Sequence, residues 1–205
     1  MSISVDGFVG GPNGEIDWLL RRGLGTRVEE WITMTLWNAS AHLMGRRTFN
    51  DMRSYWPFSD IPLAEPMNQI PKIAFSKGGG SEHTTQALKD ATGFDQRTGR
   101  QPLKSSDHLA SWNDAPIITS GLEQEILRLK QGSGKPLLAH GGAGFAQSLA
   151  ATGLIDEYHL LVHPVVLGKG LPLFSAVTKP LDLQLASITV FDNGVAAHIY
   201  VVGDQ

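Results

Sequence analysis

Short β-rich apolar runs alternate along this chain with segments of helical periodicity. Twice a run passes straight through glycine into such a segment, at Ala41–Thr48 and at Leu137–Phe145. That alternation, with no internal repeat of roughly 20 to 50 residues, selects an α/β plan over a solenoid, a bundle or a sandwich. Val28, Trp31, Ile32 and Leu36 recur at three- and four-residue spacing, so residues 28–38 predict a helix with one buried face and an acidic first turn of Glu29 and Glu30. Leu122–Lys130 predicts a second helix stopping at Gly132, and a third opens at Gly141-Gly142-Ala143-Gly144 and ends at Thr152-Gly153.

Strands are predicted at Ser2–Val5, Ala41–Met44, Ile70–Ser76, Pro116–Thr119, Leu137–His140, Tyr158–Leu167, Leu181–Phe191 and Val195–Val202. The last two flank Asp192-Asn193-Gly194, whose Asn-Gly step is a strong hairpin signal, so the sheet is expected to end antiparallel. Gly7–Gly14 reads as a turn region after the first strand. Residues 78–114 are polar and weakly periodic, and read as an insertion, partly mobile, within one domain spanning 1–205. A chain of 205 residues carries one substantial core without a visible linker to a second.

Seventeen Lys and Arg against 20 Asp and Glu leave a net charge of −3, which disfavours nucleic acid or anionic lipid as the main partner and favours small molecules. The absence of cysteine removes thiolate nucleophiles, Cys-ligated zinc and iron–sulfur clusters, and suits a reducing cytoplasm. The first residues lack the basic and apolar regions of a signal peptide. The run Leu160–Leu167 is too short to span a membrane and is interrupted by His163 and Pro164. The expectation is a cytoplasmic protein with no membrane partner.

At Leu137–Phe145 a strand, glycines and a helix follow one another, the order that presents backbone amides to an anion. Gly142, Gly144 and Gln147 miss the G-x-G-x-x-G spacing, so close packing of a strand–helix turn explains the glycines equally well. Gly45-Arg46-Arg47-Thr48 adds guanidinium groups suited to a phosphate monoester and a hydroxyl that caps a helix or meets an anion. Solvated arginines beside an ordinary cap are the alternative. Ser76-Lys77 ends another strand with a hydroxyl and an ammonium.

Ser4-Val5-Asp6-Gly7-Phe8-Val9-Gly10, Asp17-Trp18, Leu43–Phe49, Lys72–Ser76, His140–Gly144, Gly153–Glu157 and His163–Gly168 together resemble the dihydrofolate reductase superfamily. The closer likeness is to the branch containing the reductase domain of riboflavin biosynthesis and its stand-alone bacterial relatives. It spans nearly all of the chain outside 78–114. The resemblance implies a single three-layer α/β domain with a mostly parallel central sheet and an antiparallel C-terminal hairpin, probing a small heterocyclic or ribosyl substrate with NADPH as hydride donor. It implies Gly45, Arg46, Arg47 and Thr48 at the cofactor phosphates, Ser76 and Lys77 near the adenosine 2′-phosphate, Gly141, Gly142, Ala143, Gly144 and Phe145 along the pyrophosphate and nicotinamide ribose, and Val9 and Gly10 facing the nicotinamide.

For the proton, the superfamily's carboxylate on its first long helix matches Glu29, with Glu30 adjacent, and the riboflavin branch's Ser-x-Asp-Gly matches Asp6. Complementing a helix dipole and forming a turn are the plain alternatives for these residues. Asp6, Trp18 and Glu29 are the expected substrate contacts. No basic residue matches the clamp for a folate tail, and the zinc signature of the deaminase partner is missing, so only the reductase half is expected. A homodimer is implied, with its interface expected on Leu160–Leu167. His159 and His163 fall on one face of a strand without converging and with no evident carboxylate beside them, so no metal is expected. Trp18, Trp31, Trp37, Trp56 and Trp112 are read as core or cleft walls.

Overall fold

The computed structural model describes residues 1–21, 23–77, 106–132 and 134–203. In chain order the elements are β1 (Ser2–Ser4), β2 (Phe8–Gly10), α1 (Asp17–Leu20), α2 (Thr26–Trp37), β3 (Ala41–Gly45), α3 (Arg46–Tyr55), a 3₁₀ turn (Trp56–Phe58), α4 (Ala64–Gln69), β4 (Lys72–Phe75), α5 (Ser106–Asn113), β5 (Ile117–Ile118), α6 (Leu122–Lys130), β6 (Leu137–Gly141), α7 (Ala143–Ala151), β7 (Glu157–His163), β8 (Leu171–Pro172), β9 (Leu183–Val190) and β10 (Ala196–Val202). They form two compact units, Ile32–His140 and Met1–Trp31 with Gly141–Gln205. Among the described residues no helix is long and apolar enough to cross a membrane.

In the unit 32–140 the strand order is β5-β4-β3-β6, with β3, β4 and β5 parallel. Ala41–Met44 and all of β4 are buried, as expected of parallel strands covered on both faces. The register sets Gly45 beside Phe75 and Phe75 beside Ile118, so three strands end level. Leu36, Met44, Phe49, Leu63, Met67, Ala74 and Trp112 form the core.

Trp112 corrects the reading of 78–114 as one polar insertion. Residues 106–113 are helical, and the Trp112 indole is 1% exposed. Residues 78–105 lie outside the described residues. Only a few apolar side chains interrupt the polar run around Trp112, too few to show a period, and burying an aromatic of this size outweighs the weak local pattern. Its Nε1 donates to Asn68 Oδ1 at 2.8 Å, and Asn68 Nδ2 donates to the Trp56 carbonyl at 2.9 Å. Lys72 Nζ donates to the Asn68 carbonyl at 2.5 Å and to Ser111 Oγ at 2.9 Å. Burial pulls the Lys72 ammonium down to about 8.

In the other unit the order is β1-β7-β10-β9, with β1 parallel to β7 and the remaining pairs antiparallel. The predicted C-terminal hairpin is present. Gly194 adopts φ +81°, and Asn193 Oδ1 accepts the Val195 N–H at 3.2 Å. Ile3, Val9, Tyr158, Leu160 and Leu173 make the core.

The turn region expected at Gly7–Gly14 contains β2, which pairs antiparallel with β8. Three residues with a partner more than 160 positions away leave no local signature. A Cβ on Gly170 would lie 2.3 Å from the Gly10 carbonyl oxygen, so this contact needs glycine. The strand expected over Tyr158–Leu167 stops at His163, because Pro164 has no N–H to continue the ladder. β7 sits between β1 and β10, and Leu160 and Leu161 are buried within the chain. Leu160 and Leu161 of the run expected at a dimer surface thus belong to the chain's own core, whereas Val166 beyond the strand is 69% exposed.

Candidate functional site

In the unit 32–140, β3 runs directly into α3, with Gly45 as an extended N-cap (φ −66°, ψ 147°) and no side-chain cap. Arg46, Arg47 and Thr48 make the first turn, which carries no acidic residue. Two cations at the positive end of a helix dipole have the wrong sign, at about 0.3 to 1 kcal/mol each, unless an anion joins them. Downstream, burial raises the Asp51 carboxyl, and the Arg47 charge partly opposes the shift.

The level strand ends place Ser76 and Lys77 on the same sheet edge as Gly45–Thr48, and the Ser76 amide donates to the Ile118 carbonyl at 2.8 Å. Thr119, Ser120 and Gly121 follow β5 at that edge. The sequence does not single them out. α6 already has Glu123 and Glu125 in its first turn, so its dipole is complemented, whereas the first turn of α3 has no acidic residue.

His42 on β3 and His140 on β6 were also not anticipated in this role. Their rings meet at 4.6 Å, and His42 Nδ1 and Nε2 and His140 Nε2 are buried without a hydrogen-bond partner among the described residues. Burial pushes His42 down to about 4, opposed by the Leu36 backbone and with Lys72 adding to the drop; it holds His140 well below the usual histidine value, with His42 adding to the effect. The pair is neutral at ordinary pH.

In the other unit, Gly141 (φ +115°) leads to Gly142, the N-cap of α7. Phe145 and Ala146 amides donate to the Gly142 carbonyl at 3.0 Å each. The first turn, Ala143-Gly144-Phe145, has no charged side chain. Phe145 is buried, whereas a Cβ on Gly144 would meet nothing within 4 Å.

Val9 packs into the apolar core and Gly10 is buried, so this segment presents backbone rather than side chain. Asp6 is committed locally. Ser4 Oγ donates to Asp6 Oδ1 at 2.7 Å, the Leu167 amide donates at 3.1 Å, and the Gly168 amide donates to Oδ2 at 2.7 Å. The Ser4 hydroxyl above all holds this carboxyl below its usual range; desolvation opposes it, and the Gly168 and Leu167 amides add to the lowering. Asp6 is thus an ionised acceptor that ties the turn after β1 to the loop after β7.

Through Ser4, Asp6 adjoins His163, the register partner of Ser4. His163 Nε2 lies 3.1 Å from Ser2 Oγ, and its ring meets Trp18 edge-on at 5.4 Å. Trp18 Nε1 is buried with no hydrogen-bond partner among the described residues. Asp6 and Trp18 therefore share a neighbourhood, with His163 as the member that the sequence suggested only as a metal candidate. Glu29 is half-buried in the first turn of α2 and Glu30 is exposed. The adjacent Trp31 lies 6.0 Å from the His159 ring.

A carboxylate does accompany His159, contrary to expectation: Glu157 Oε2 is 2.9 Å from its Nε2. Among the described residues no group of three or more potential ligands could hold a metal. Trp112 is a core residue, Trp18, Trp31 and Trp56 are half-buried, and Trp37 is exposed.

The model of the RibD C-terminal domain family matches residues 1–197. The uncharacterized protein YwjB of Bacillus subtilis is 36% identical over 199 residues, covering 97% of this chain and 93% of that protein. RibD of Acinetobacter baumannii shares the fold at a TM-score of 0.65 and 17% identity, over 99% of this chain and 56% of that one. A dihydrofolate reductase from Enterococcus faecalis, solved in complex with NADP(H), shares it at a TM-score of 0.51 and 13% identity, over 99% of this chain and 94% of that one.

Proposed function

The chain belongs to the RibD C-terminal domain family, and on that footing we propose that it is an NADPH-dependent reductase acting on a small heterocyclic or ribosyl substrate of the pterin or riboflavin-pathway kind. The observation that carries this reading is the first turn of α3: Arg46 and Arg47 stand in a turn that holds no acidic residue, with Asp51 one turn on beside Arg47, on the sheet edge that also holds Ser76 and Lys77. An added phosphate satisfies that excess of positive charge. When bound, the cofactor supplies the hydride, and protein groups supply binding and orientation. Arg46, Arg47, Thr48, Ser76 and Lys77 hold its phosphates. The amides of Gly142, Ala143 and Gly144 receive the diphosphate, and the backbone of Val9 and Gly10 lies along the nicotinamide.

On the substrate side, Trp18 walls the ring and its buried Nε1 is available to a substrate acceptor. Glu29 is the proton-handling residue in this reading, and Asp6 holds the turn that frames the site. The enzyme is a single cytoplasmic reductase domain and a homodimer, in line with the lack of cysteine and of a membrane-crossing helix among the described residues.

Titration of the protein with NADPH and with NADH, followed by fluorescence, tests the reading. Saturable binding with a clear preference for the 2′-phosphate is expected, and indifference to that phosphate overturns it. A second reading, a nucleotide-binding dimer without turnover, draws on the commitment of Asp6 to structural hydrogen bonds. NADPH binding without NADPH oxidation across a panel of pterins and ribosylaminopyrimidines selects it.

A further inference from the structure

Along β7 the side chains of Glu157, His159, Leu161 and His163 share one face of the sheet, so this face carries two imidazoles where the other carries Tyr158 and Leu160. Both imidazoles meet tryptophans. His159 lies 6.0 Å from the Trp31 ring, and His163 lies 5.4 Å from the Trp18 ring at an interplanar angle of 82°. Trp18 and Trp31 bracket the stretch that carries Glu29, so both ends of that stretch are registered on one face of β7.

Trp18 depends on such a contact. It sits in α1, a single turn with no fully buried residue, and one helical turn does not hold its own geometry. His163 supplies the hold because it is itself fixed. It is 2% exposed, it stands beside Ser4 in the parallel register, and its Nε2 lies 3.1 Å from Ser2 Oγ. Ser4 Oγ in turn donates to Asp6 Oδ1 at 2.7 Å and accepts the Phe8 amide at 2.9 Å, so the β1 side of the imidazole is braced as well. An edge-to-face pair sets the tilt of the indole as well as its place. Trp18 Nε1 is thereby held out of water, with no hydrogen-bond partner among the described residues.

An indole N–H donates and does not accept. Facing a ring carbonyl it completes a hydrogen bond. Facing an exocyclic amino group it sets two donors against each other in a buried wall, and a site built around one polar contact rejects the analogue that cannot make it. We infer that His163 is a positioning residue, which fixes the Trp18 indole so that Nε1 selects heterocycles with an oxo group over those with an amino group at the ring position against this wall. The inference rests on the reductase reading for the presence of a heterocycle, and on the His163–Trp18 geometry for the choice among heterocycles.

Trp18→Phe identifies the Trp18 indole signal among those of the five tryptophans in a proton–nitrogen correlation spectrum. His163→Leu should move that signal, and His163→Phe should return it towards the wild-type position because it restores a ring. Ser2→Ala, which frees the imidazole without altering either ring, should shift it the same way as His163→Leu but by less, and His159→Phe should leave it in place. Titration of the NADPH-loaded protein then compares pterin, which carries a ring carbonyl, with 2,4-diaminopteridine, which carries an amino group in its place. Wild type should bind pterin about tenfold more tightly; His163→Leu should remove that preference without changing NADPH affinity, and His163→Phe should restore it. An indole signal unmoved by both His163→Leu and Ser2→Ala, or a His163→Phe variant no closer to wild type than His163→Leu, overturns the positioning role. Equal affinity for the two pteridines, or none for either, in a wild-type protein that binds NADPH overturns the oxo selection. A protein that does not bind NADPH strikes the reductase reading instead, and the indole signal still decides whether His163 positions Trp18.

Discussion

His42 and His140 stand edge to face at 4.6 Å on neighbouring strands, with His42 Nδ1 and Nε2 and His140 Nε2 buried without a hydrogen-bond partner among the described residues. Neither accepts a proton readily in the fold, and both accept one once the chain unfolds. Above the ordinary histidine range both states are neutral there and stability is unaffected. As pH falls below 6.5 the unfolded chain takes up protons that the folded chain refuses, so stability is lost progressively until about 4, where His42 itself titrates. The His42 shift alone corresponds to about 3 kcal/mol. Urea unfolding between neutral and mildly acidic pH should show this loss, and His42→Phe should flatten the slope. An unchanged slope in that variant contradicts the account.

Reversing the first-turn charges of α3 should have two effects of opposite sign. Arg46→Glu suits the helix dipole better and should stabilise the protein without nucleotide by about 0.3 to 1 kcal/mol, whereas Arg47→Glu also exchanges attraction to Asp51 for repulsion and should gain less. Both should weaken NADPH binding, with a smaller effect on NADH. Thermal melts with and without NADPH measure both effects, and a destabilised apo protein argues against the dipole explanation.

Two glycines separate close packing from open approach. Gly170→Ala drives a Cβ to 2.3 Å from the Gly10 carbonyl oxygen, a backbone atom that cannot yield without moving β2. It should destabilise by about 1 to 3 kcal/mol, the range for overpacking. Gly144→Ala meets nothing and lies in a helix, so it should stabilise by up to about 1 kcal/mol. If a diphosphate approaches that turn, the same change should weaken NADPH binding. Comparing the two variants by melting and titration checks the contrast.

Asp6→Asn leaves a side chain that offers one acceptor oxygen where the carboxylate serves Ser4, Leu167 and Gly168. Hydrogen exchange at the Leu167 and Gly168 amides should accelerate, while amides of β10 stay protected. Because the folded-state Asp6 pKa is depressed, its contribution is present above the ordinary carboxylate range and disappears as pH falls through it. In a functioning reductase the substitution should raise KM more than it lowers kcat, the signature of a positioning residue rather than a proton donor. A pH–rate profile that loses its acidic limb in Asp6→Asn contradicts this role.

The long elements were readable because each has a local cause. Leu122, Ile126 and Leu129 mark one face of α6, Asn193-Gly194 specifies its hairpin turn, and Gly141–Gly144 announces the entry to α7. β2 could not be read, since Phe8–Gly10 is a strand only by virtue of Leu171–Pro172. Nor could the roles of Asp6 and His163 be separated by inspection. The first depends on amides from Leu167 and Gly168, and the second on Trp18 and Ser2, all distant along the chain.

Sequence alone determined the α/β plan, the glycine-led helix starts, the basic turn at Arg46-Arg47 and the family, because periodicity, turn chemistry and motif order are properties of neighbouring residues. Tertiary structure decided which strand ends are level, that Trp112 is core, that β7 is enclosed and that β9 is left as the edge. Those outcomes are set by burial and by backbone pairing between residues far apart in the chain, and no short stretch of sequence encodes its partner.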